Sequence, residues 1–450
     1  MLWERLRSIW TVPDLRNKIL FTLGILLIFR VLASITVPLT HTEAQNLAKL
    51  FSGSSNNNNL GQLLGLLDVF SGGSLQTFSV VAMGVYPYIT ATIVMQLLQP
   101  IIPALQNLAM EGEAGRLRFS QITRIITVPL AFLQALGNAA IFVRVGVLDS
   151  SSFNLFGGNG VWLSTLAILM SMVAGTMILV WLGELITENG IGNGISLIIF
   201  AGIVSRLPGF VQQGFVATSS SNGNGSGIVS IVVFLIIGLL TIVGIVYIYQ
   251  GQRRVPVQYP TKRMVGRGML VGSAQTTYIP IQVNSAGMIP LIFAQSMLIF
   301  PAVLSQYLVG NSVTWLSNVA QWVGTYIVNT SLWYYWLIYF VLVVAFTFFY
   351  AYVVWQQQNI PENLQKQGAF IPGYRPGEPT SRYLQAILNR VTLGGALFLG
   401  IVAILPYVSR VGGNQLLSSA ALLIVVGVVL DTVRQLEAQM VMRNYSGFLS

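Results

Sequence analysis

The sequence predicts an all-α polytopic membrane protein with ten transmembrane helices in two inverted five-helix halves, and three observations predict it. First, 54% of the 450 residues are hydrophobic and only 8% are charged. Length alone would suggest about three soluble domains, but long apolar runs with few charges mark a membrane protein instead. Second, ten apolar runs follow one another, at 19–39, 76–98, 122–143, 161–183, 191–207, 227–250, 284–308, 331–355, 386–408 and 417–434. Third, 18 of the 23 Lys and Arg residues fall in one alternate set of connecting segments, against four (Lys49, Arg144, Arg206 and Arg410) in the other. The crowded set, which includes both termini, is therefore expected in the cytosol. Ten spans divide into five and five, giving halves at 1–207 and 227–450 around an outer hinge loop at 208–226. An odd number per half makes the second half enter from the opposite side, so a repeat would be inverted with its working site near the midplane.

The basic amino terminus (Arg5, Arg7, Arg16, Lys18) runs into the first span. That span is longer than the ~7–15 apolar residues of a signal peptide, so it is expected to be retained. The next stretch, 60–100, is a hydrophobic segment broken in two. Its first part, 60–70, is too short to cross a bilayer, which takes roughly 20 residues. Ser71-Gly72-Gly73 then interrupts any helix, and a full-length helix is expected over 76–98 with Pro87 in its middle. Lipid-facing backbone does not tolerate such a break, so it is expected to be buried in protein or to line a water-filled cavity. The fifth span, 191–207, is short and punctuated by glycine. Outer segments 52–59 and 218–227 are polar linkers of low complexity. Two long cytosolic segments differ: 251–283 carries Arg253, Arg254, Lys262, Arg263 and Arg267, and 356–384 carries Lys366, Arg375 and Arg382 among prolines and glycines. Loops of this length are usually functional or disordered.

The residue inventory argues against an enzyme. There is no cysteine and a single histidine, His41, so thiolate and multi-histidine metal sites are excluded. No span offers a nucleophile with a histidine or lysine base. Asp431, near the end of the last span, and Asp68, in the short broken segment, fit structural roles. Arg30 is the one cation well inside a span. The amides Gln96 and Asn193 suit interhelical hydrogen bonding or a gate. Val85 and Ile89 are four apart, as are Ile195 and Ile199, so each pair shares a helical face. These are packing residues or an apolar constriction that gates by dewetting. The basic loops carry positive-inside charge, or bind a phosphate backbone or an acidic partner.

Several stretches together resemble the SecY subunit of the bacterial protein translocase: FSGGSLQTFSVVAMGVYPYITATIVMQLL (70–98), EGEAGRLRFSQITR (111–124), GTMILVWLGELITENGIGNGISLIIFAGIV (175–204), GQRRVPVQYPTKR (251–263), YIPIQVNSAGMIPLIFAQSM (278–297) and NLQKQGAFIPGYRPGEPTSRYL (363–384). The resemblance implies a protein-conducting channel around a central pore. Leu60, Leu63, Leu64, Leu67 and Phe70 would belong to a short plug helix. Val85, Ile89, Ile195, Ile199, Ile292 and Ile424 would form the pore ring, where the family favours isoleucine and Val85 departs from it. Thr90, Gln96, Asn193, Ser296 and Phe300 would lie near a lateral gate. Arg253, Arg254, Lys262, Arg263, Arg267 and Arg375 would form a docking surface for a SecA ATPase or a ribosome. The implied setting is a bacterial inner membrane, or a thylakoid membrane, with SecE and SecG as companion subunits. Secretory and membrane protein precursors would be the substrates, with hydrophobic segments passing into lipid. No cofactor is expected, and no P-loop motif is present, so the driving energy would come from a partner. A secondary transporter with inverted repeats is the alternative; it would want a mid-span carboxylate or a substrate-pairing cation.

Overall fold

Helices make up most of the chain in the computed structural model, which describes residues 13–37, 45–46, 68, 71–144, 161–220, 226–265, 269–284, 287, 289–308, 314–326, 332–375, 377–411 and 419–446. In order they are α1 (Pro13–Ser34), α2 (Tyr86–Leu98), α3 (Pro103–Met110), α4 (Glu113–Arg144), α5 (Val161–Asn189), α6 (Gly194–Ser220) and α7 (Ser226–Gln250). Two strands follow, β1 (Gln252–Val265) and β2 (Met269–Gln282), and then α8 (Ile289–Leu308), α9 (Thr314–Tyr326), α10 (Trp333–Gln358), α11 (Ile360–Lys366), α12 (Glu378–Val411) and α13 (Ser419–Ser446).

Five helical stretches among the described residues are long and apolar enough to cross a membrane: Pro13–Ser34, Leu117–Ala140, Thr165–Asn189, Trp333–Lys366 and Glu378–Leu405. Gly194–Arg206, Gly238–Gln250 and Ile289–Leu298 are shorter apolar helices. Their two faces follow the helical period. In α1, Leu15, Thr22, Ile25, Phe29 and Ala33 are buried, while Leu20, Leu23, Leu27 and Val31 point outward as a lipid-facing surface requires.

The second expected span needs correction. Helix α2 starts only at Tyr86, so Pro87 stands in its first turn and not in its middle, where its missing N–H costs nothing. Residues 71–85 run as successive turns because Gly72, Gly73, Phe78 and Gly84 all have positive φ, which an α-helix cannot accommodate. Leu75, Phe78, Val81, Ala82, Met83 and Val85 are buried within this irregular stretch. Its backbone is partly satisfied by the end of α1, through Val37 N–H donating to Phe78 O at 3.0 Å and Val80 N–H to Ile35 O at 3.0 Å. The break is thus buried in protein, as non-helical backbone at membrane depth must be.

Two further corrections concern the loops. The boundary expected at 207/208 falls inside α6, which continues through Pro208 to Ser220. The basic segment 251–283 is an antiparallel hairpin, with Gln252 opposite Gln282 and Val265 opposite Met269, so the described chain is not wholly α. Its strand period is visible at Val255 and Val257, which are buried, alternating with exposed Arg254 and Pro256. Gln258 pairs with Phe370 as a short bridge, N–H to O at 2.9 Å and 3.0 Å. Val255, Val257 and Ile281 share a core with Leu364, Ala369, Ile371, Leu384, Ile387 and Leu388, so the two long basic segments form one body. The larger core joins α1, α2, α5, α6, α7, α8, α10, α12 and α13 in one apolar cluster. A second packs Leu75, Phe78 and Met83 against α4 and α5, with Phe78 edge-on to Phe142 at 5.1 Å.

Candidate functional site

The residues expected in the ring all fall in the larger core, which draws on nine helices. Val85 and Ile89 enter it from the head of α2, Ile199 from α6, Ile292 from α8 and Ile424 from α13; all five are buried, and Ile195 packs against the same cluster. The i, i+4 pairs contribute because each presents one helical face. The aromatic wall beside it was not evident in the sequence: Phe293 meets Phe346 edge-on at 6.0 Å and Tyr350 at 6.1 Å. Among the described residues, no group of three or more His, Asp or Glu is placed to hold a metal ion.

A polar seam runs where α8 packs against both α2 and α4. Tyr86 Oη donates to Ser296 O at 3.2 Å, joining α2 to α8. Thr90 Oγ1 donates to Pro87 O at 2.8 Å and accepts from Gln134 Nε2 at 3.0 Å, joining α2 to α4. Gln96 Oε1 and Ser296 Oγ are buried with no hydrogen-bond partner among the described residues, which weakens the seam, since each such group carries a desolvation cost. Asn193 stands apart: its Oδ1 accepts from Ile195 N–H at 3.1 Å and Ser196 N–H at 3.3 Å, capping the start of α6. Phe300 belongs to α8, and its side chain lies outside the described residues.

Leu60, Leu63, Leu64, Leu67 and Phe70 also lie outside the described residues. The junction that follows them is described. Asp68 is fully buried, and its Oδ1 accepts from Leu75 N–H and Gln76 N–H, both at 3.1 Å. Its other oxygen forms an ion pair with Arg206 of α6. Burial pushes the Asp68 carboxyl above the usual carboxylate range, opposed chiefly by the Arg206 charge. Next to the ion pair, a Cβ on Gly72 would stand 2.6 Å from Gly202 Cα, and one on Gly202 would stand 2.8 Å from Gly72 Cα. Only two glycines allow these backbones to touch. Ser205 Oγ donates to Gly202 O at 2.8 Å and accepts from Arg30 Nη1 at 3.3 Å, so the cation inside the first span reaches the same place. The junction is therefore clamped to α6 by charge and by close backbone packing. Arg124 and Glu184 form a further ion pair at 2.6 Å between α4 and α5.

In the hairpin body, Arg253 and Arg254 are exposed on β1; the side chains of Lys262 and Arg263 and the whole of Arg267 lie outside the described residues. Arg375 is exposed, in a loop held by Thr380 Oγ1 donating to Arg375 O at 2.8 Å. Beside it Tyr374 stacks on Tyr383 at 4.0 Å. An open cleft of about 590 Å³ is lined there by Tyr374, Glu378, Arg382, Tyr383 and Arg390 among others.

A family model for SecY matches residues 79–433. The chain belongs to the SecY family. Protein translocase subunit SecY of Mycobacterium bovis is 41% identical over 460 aligned positions, covering 100% of both chains. Among solved structures, a SecY protein whose plug domain stabilises the closed state of the translocation channel and maintains a membrane seal matches with a TM-score of 0.62 at 17% identity, covering 94% of this chain and 92% of that one. Sec61 in the canine ribosome-channel complex from the endoplasmic reticulum matches with a TM-score of 0.61 at 18% identity, again over 94% and 92%. These likenesses show the SecY/Sec61 channel fold, and with the apolar helices above they make the chain a multi-pass membrane protein.

Proposed function

We propose that the chain forms the protein-conducting pore of a translocase, passing unfolded secretory polypeptides across the membrane and releasing hydrophobic segments sideways into lipid. The observation that carries this is the full-length likeness to translocase subunits, and the burial of Val85, Ile89, Ile199, Ile292 and Ile424 within one extensive apolar core, with Ile195 against it, is compatible with it. A ring of flexible aliphatic side chains closes around varied sequences without binding any of them tightly, and it excludes water and ions when unoccupied. The transporter alternative, which asks for a polar substrate site at mid-depth, is not favoured, since the relatives are translocase subunits and the structural neighbours are channels. No catalytic step is required.

In this proposal ten spans form two inverted halves that part after α6, with both termini in the cytosol of a bacterial inner membrane or its thylakoid equivalent. The outer hinge, expected at 208–226, contracts to the connection after α6. Leu60 to Phe70 supply the plug, and the clamp at Asp68 and Gly72 is its anchorage. The lateral gate follows the seam of Tyr86, Thr90, Gln96 and Ser296. Its few hydrogen bonds and two orphaned polar atoms make separation there inexpensive. The hairpin body with Arg253, Arg254 and Arg375 receives a ribosome or a SecA motor, which supplies the energy, and SecE and SecG brace the channel. Replacing Ile89, Ile195 and Ile199 together by serine should raise substrate-free ion conductance in planar bilayers. Unchanged conductance would remove the ring from the mechanism.

A further inference from the structure

Helix α12 is longer than a bilayer core is thick, and its charges show where the excess lies. Arg390 and Arg410 bracket residues 391–409, which carry no charge. That stretch rises about 29 Å at 1.5 Å per residue, the depth of a bilayer core of about 30 Å. Arg390 therefore stands at one boundary of the core, and the turns from Glu378 up to it project beyond. Neighbouring elements use only part of the helix's circumference. A Cβ on Gly400 would stand 2.4 Å from a ring carbon of Phe340 on α10, and one on Gly244 of α7 would stand 3.6 Å from a ring carbon of Phe398. Leu384 and Leu388 enter the core of the hairpin body. Tyr383, Ala386, Arg390, Leu393, Leu397 and Ile401 follow one another at intervals of three or four residues, so they form one stripe within an arc of about 80°. The first three line the open cleft of about 590 Å³, together with Tyr374 and Arg382. The last three are apolar and 49%, 44% and 59% exposed.

We propose that Arg390 holds the phosphate of an anionic phospholipid of the cytosolic leaflet, with the headgroup in the cleft and an acyl chain along Leu393, Leu397 and Ile401. The proposal rests on the membrane orientation given above. Three observations select this occupant. Arg390 is exposed, and among the described residues it pairs with no carboxylate. Arg382, the other cation of the cleft, is taken up by Glu378 at 2.7 Å, so Arg390 is left to receive an anion, and the cytosolic leaflet is the negatively charged one. The length also fits. From Arg390 to Ile401 the helix rises about 16 Å, against about 15 Å for one leaflet's share of the core. A phosphate free in water would use the cation and leave the apolar half of the stripe uncovered. Finally, Tyr374 stacks on Tyr383 at 4.0 Å on the cleft wall, and tyrosine favours the headgroup level.

The test uses full-length protein in phosphatidylcholine vesicles that contain a small fraction of phosphatidylglycerol with a photoactivatable diazirine on one acyl chain. After illumination, adducts are mapped by peptide mass spectrometry. Residues 391–401 should carry several-fold more adduct from this probe than from phosphatidylcholine bearing the same diazirine. Arg390→Gln should remove the excess, and Arg390→Lys should keep most of it. Equal labelling by the two probes, or an excess unchanged in Arg390→Gln, would overturn the proposal. Inorganic phosphate in excess, compared with sodium chloride at equal ionic strength, separates lipid from a free anion: labelling should persist in both, and selective loss in phosphate would overturn the assignment to lipid. Leu337 and Val341 on α10, 52% and 55% exposed, report on the spanning arrangement. If they and residues 391–401 all stay free of adduct from either probe, that arrangement itself falls; if they are labelled and 391–401 are not, only the lipid site falls.

Discussion

Consider the replacement of Arg206 by glutamine. Asp68 is fully buried, and two backbone N–H groups hold its Oδ1, so the variant would leave a buried carboxylate without its cation. Breaking a buried ion pair in this way costs about 3–5 kcal/mol. The carboxyl can escape by taking up a proton, and this sets a ceiling. From an ordinary value of 3.8, protonation costs about 4 kcal/mol at pH 7 and about 1.6 kcal/mol at pH 5, at 1.36 kcal/mol per pH unit. At tenfold per 1.4 kcal/mol, the closed state would lose up to about a thousandfold of its preference at pH 7 and only about tenfold at pH 5. The sign follows from the surroundings. Removing Arg206 removes the main influence that lowers the Asp68 pKa, so the closed junction favours the protonated acid over a water-exposed open one, and acid restores closure. Resting ion current in planar bilayers, with a thermal melt to check folding, measures this. The variant should leak at pH 7 and progressively less towards pH 5. The charge-free double variant Asp68→Asn/Arg206→Gln should leak less at pH 7 than Arg206→Gln alone. A resting current equal to that of the parent at pH 7, or one that grows with acid, would refute the reasoning.

Three further expectations concern other parts of the chain. Gly202→Ala places a methyl group 2.8 Å from Gly72 Cα, where backbone must shift, so it should also raise resting current, but without the pH dependence. Arg375→Glu should reduce translocation of a secretory precursor into vesicles while leaving the melting curve unchanged, since the side chain is exposed; normal export would remove it from the docking surface. Val257→Asp buries an unpaired carboxylate in the hairpin body, at a cost of several kcal/mol. It should make segments 251–283 and 356–384 susceptible to limited proteolysis together, and cleavage of only one would argue against a shared core.

Helical spacing made the faces of Val85/Ile89 and Ile195/Ile199 legible, because i, i+4 partners share a side whatever they pack against. That they share one core with Ile292 and Ile424 was not legible from spacing, since it depends on how distant helices pack. The break after Phe70 was visible in Ser71-Gly72-Gly73, but its length was underestimated. Residues 76–85 are apolar enough for a helix, and the positive φ of Phe78 and Gly84 has no local mark in an otherwise hydrophobic run. The hairpin was hidden for a different reason: its arginines and lysines drew attention as a charge cluster, while the alternation at Val255 and Val257 is brief. Nothing near Asp68 announces Arg206, which joins it through tertiary packing alone. Helix α9 went unmarked because its thirteen residues fall below any spanning threshold.

The hairpin body has a mechanical implication. All of its core residues come from position 255 onward, so whatever docks on its arginines grips one piece of the chain and not the other. In the proposed channel, the ion pair of Asp68 with Arg206 would tie the base of the plug to the first piece. A load applied to the hairpin body would then act as torque across the line where α2 meets α8, a joint fastened by the bond from Tyr86 to Ser296. A channel working in this way would need no internal engine: it would need a handle on one leaf, a weak latch between leaves, and a stopper fixed to the leaf that is not pulled.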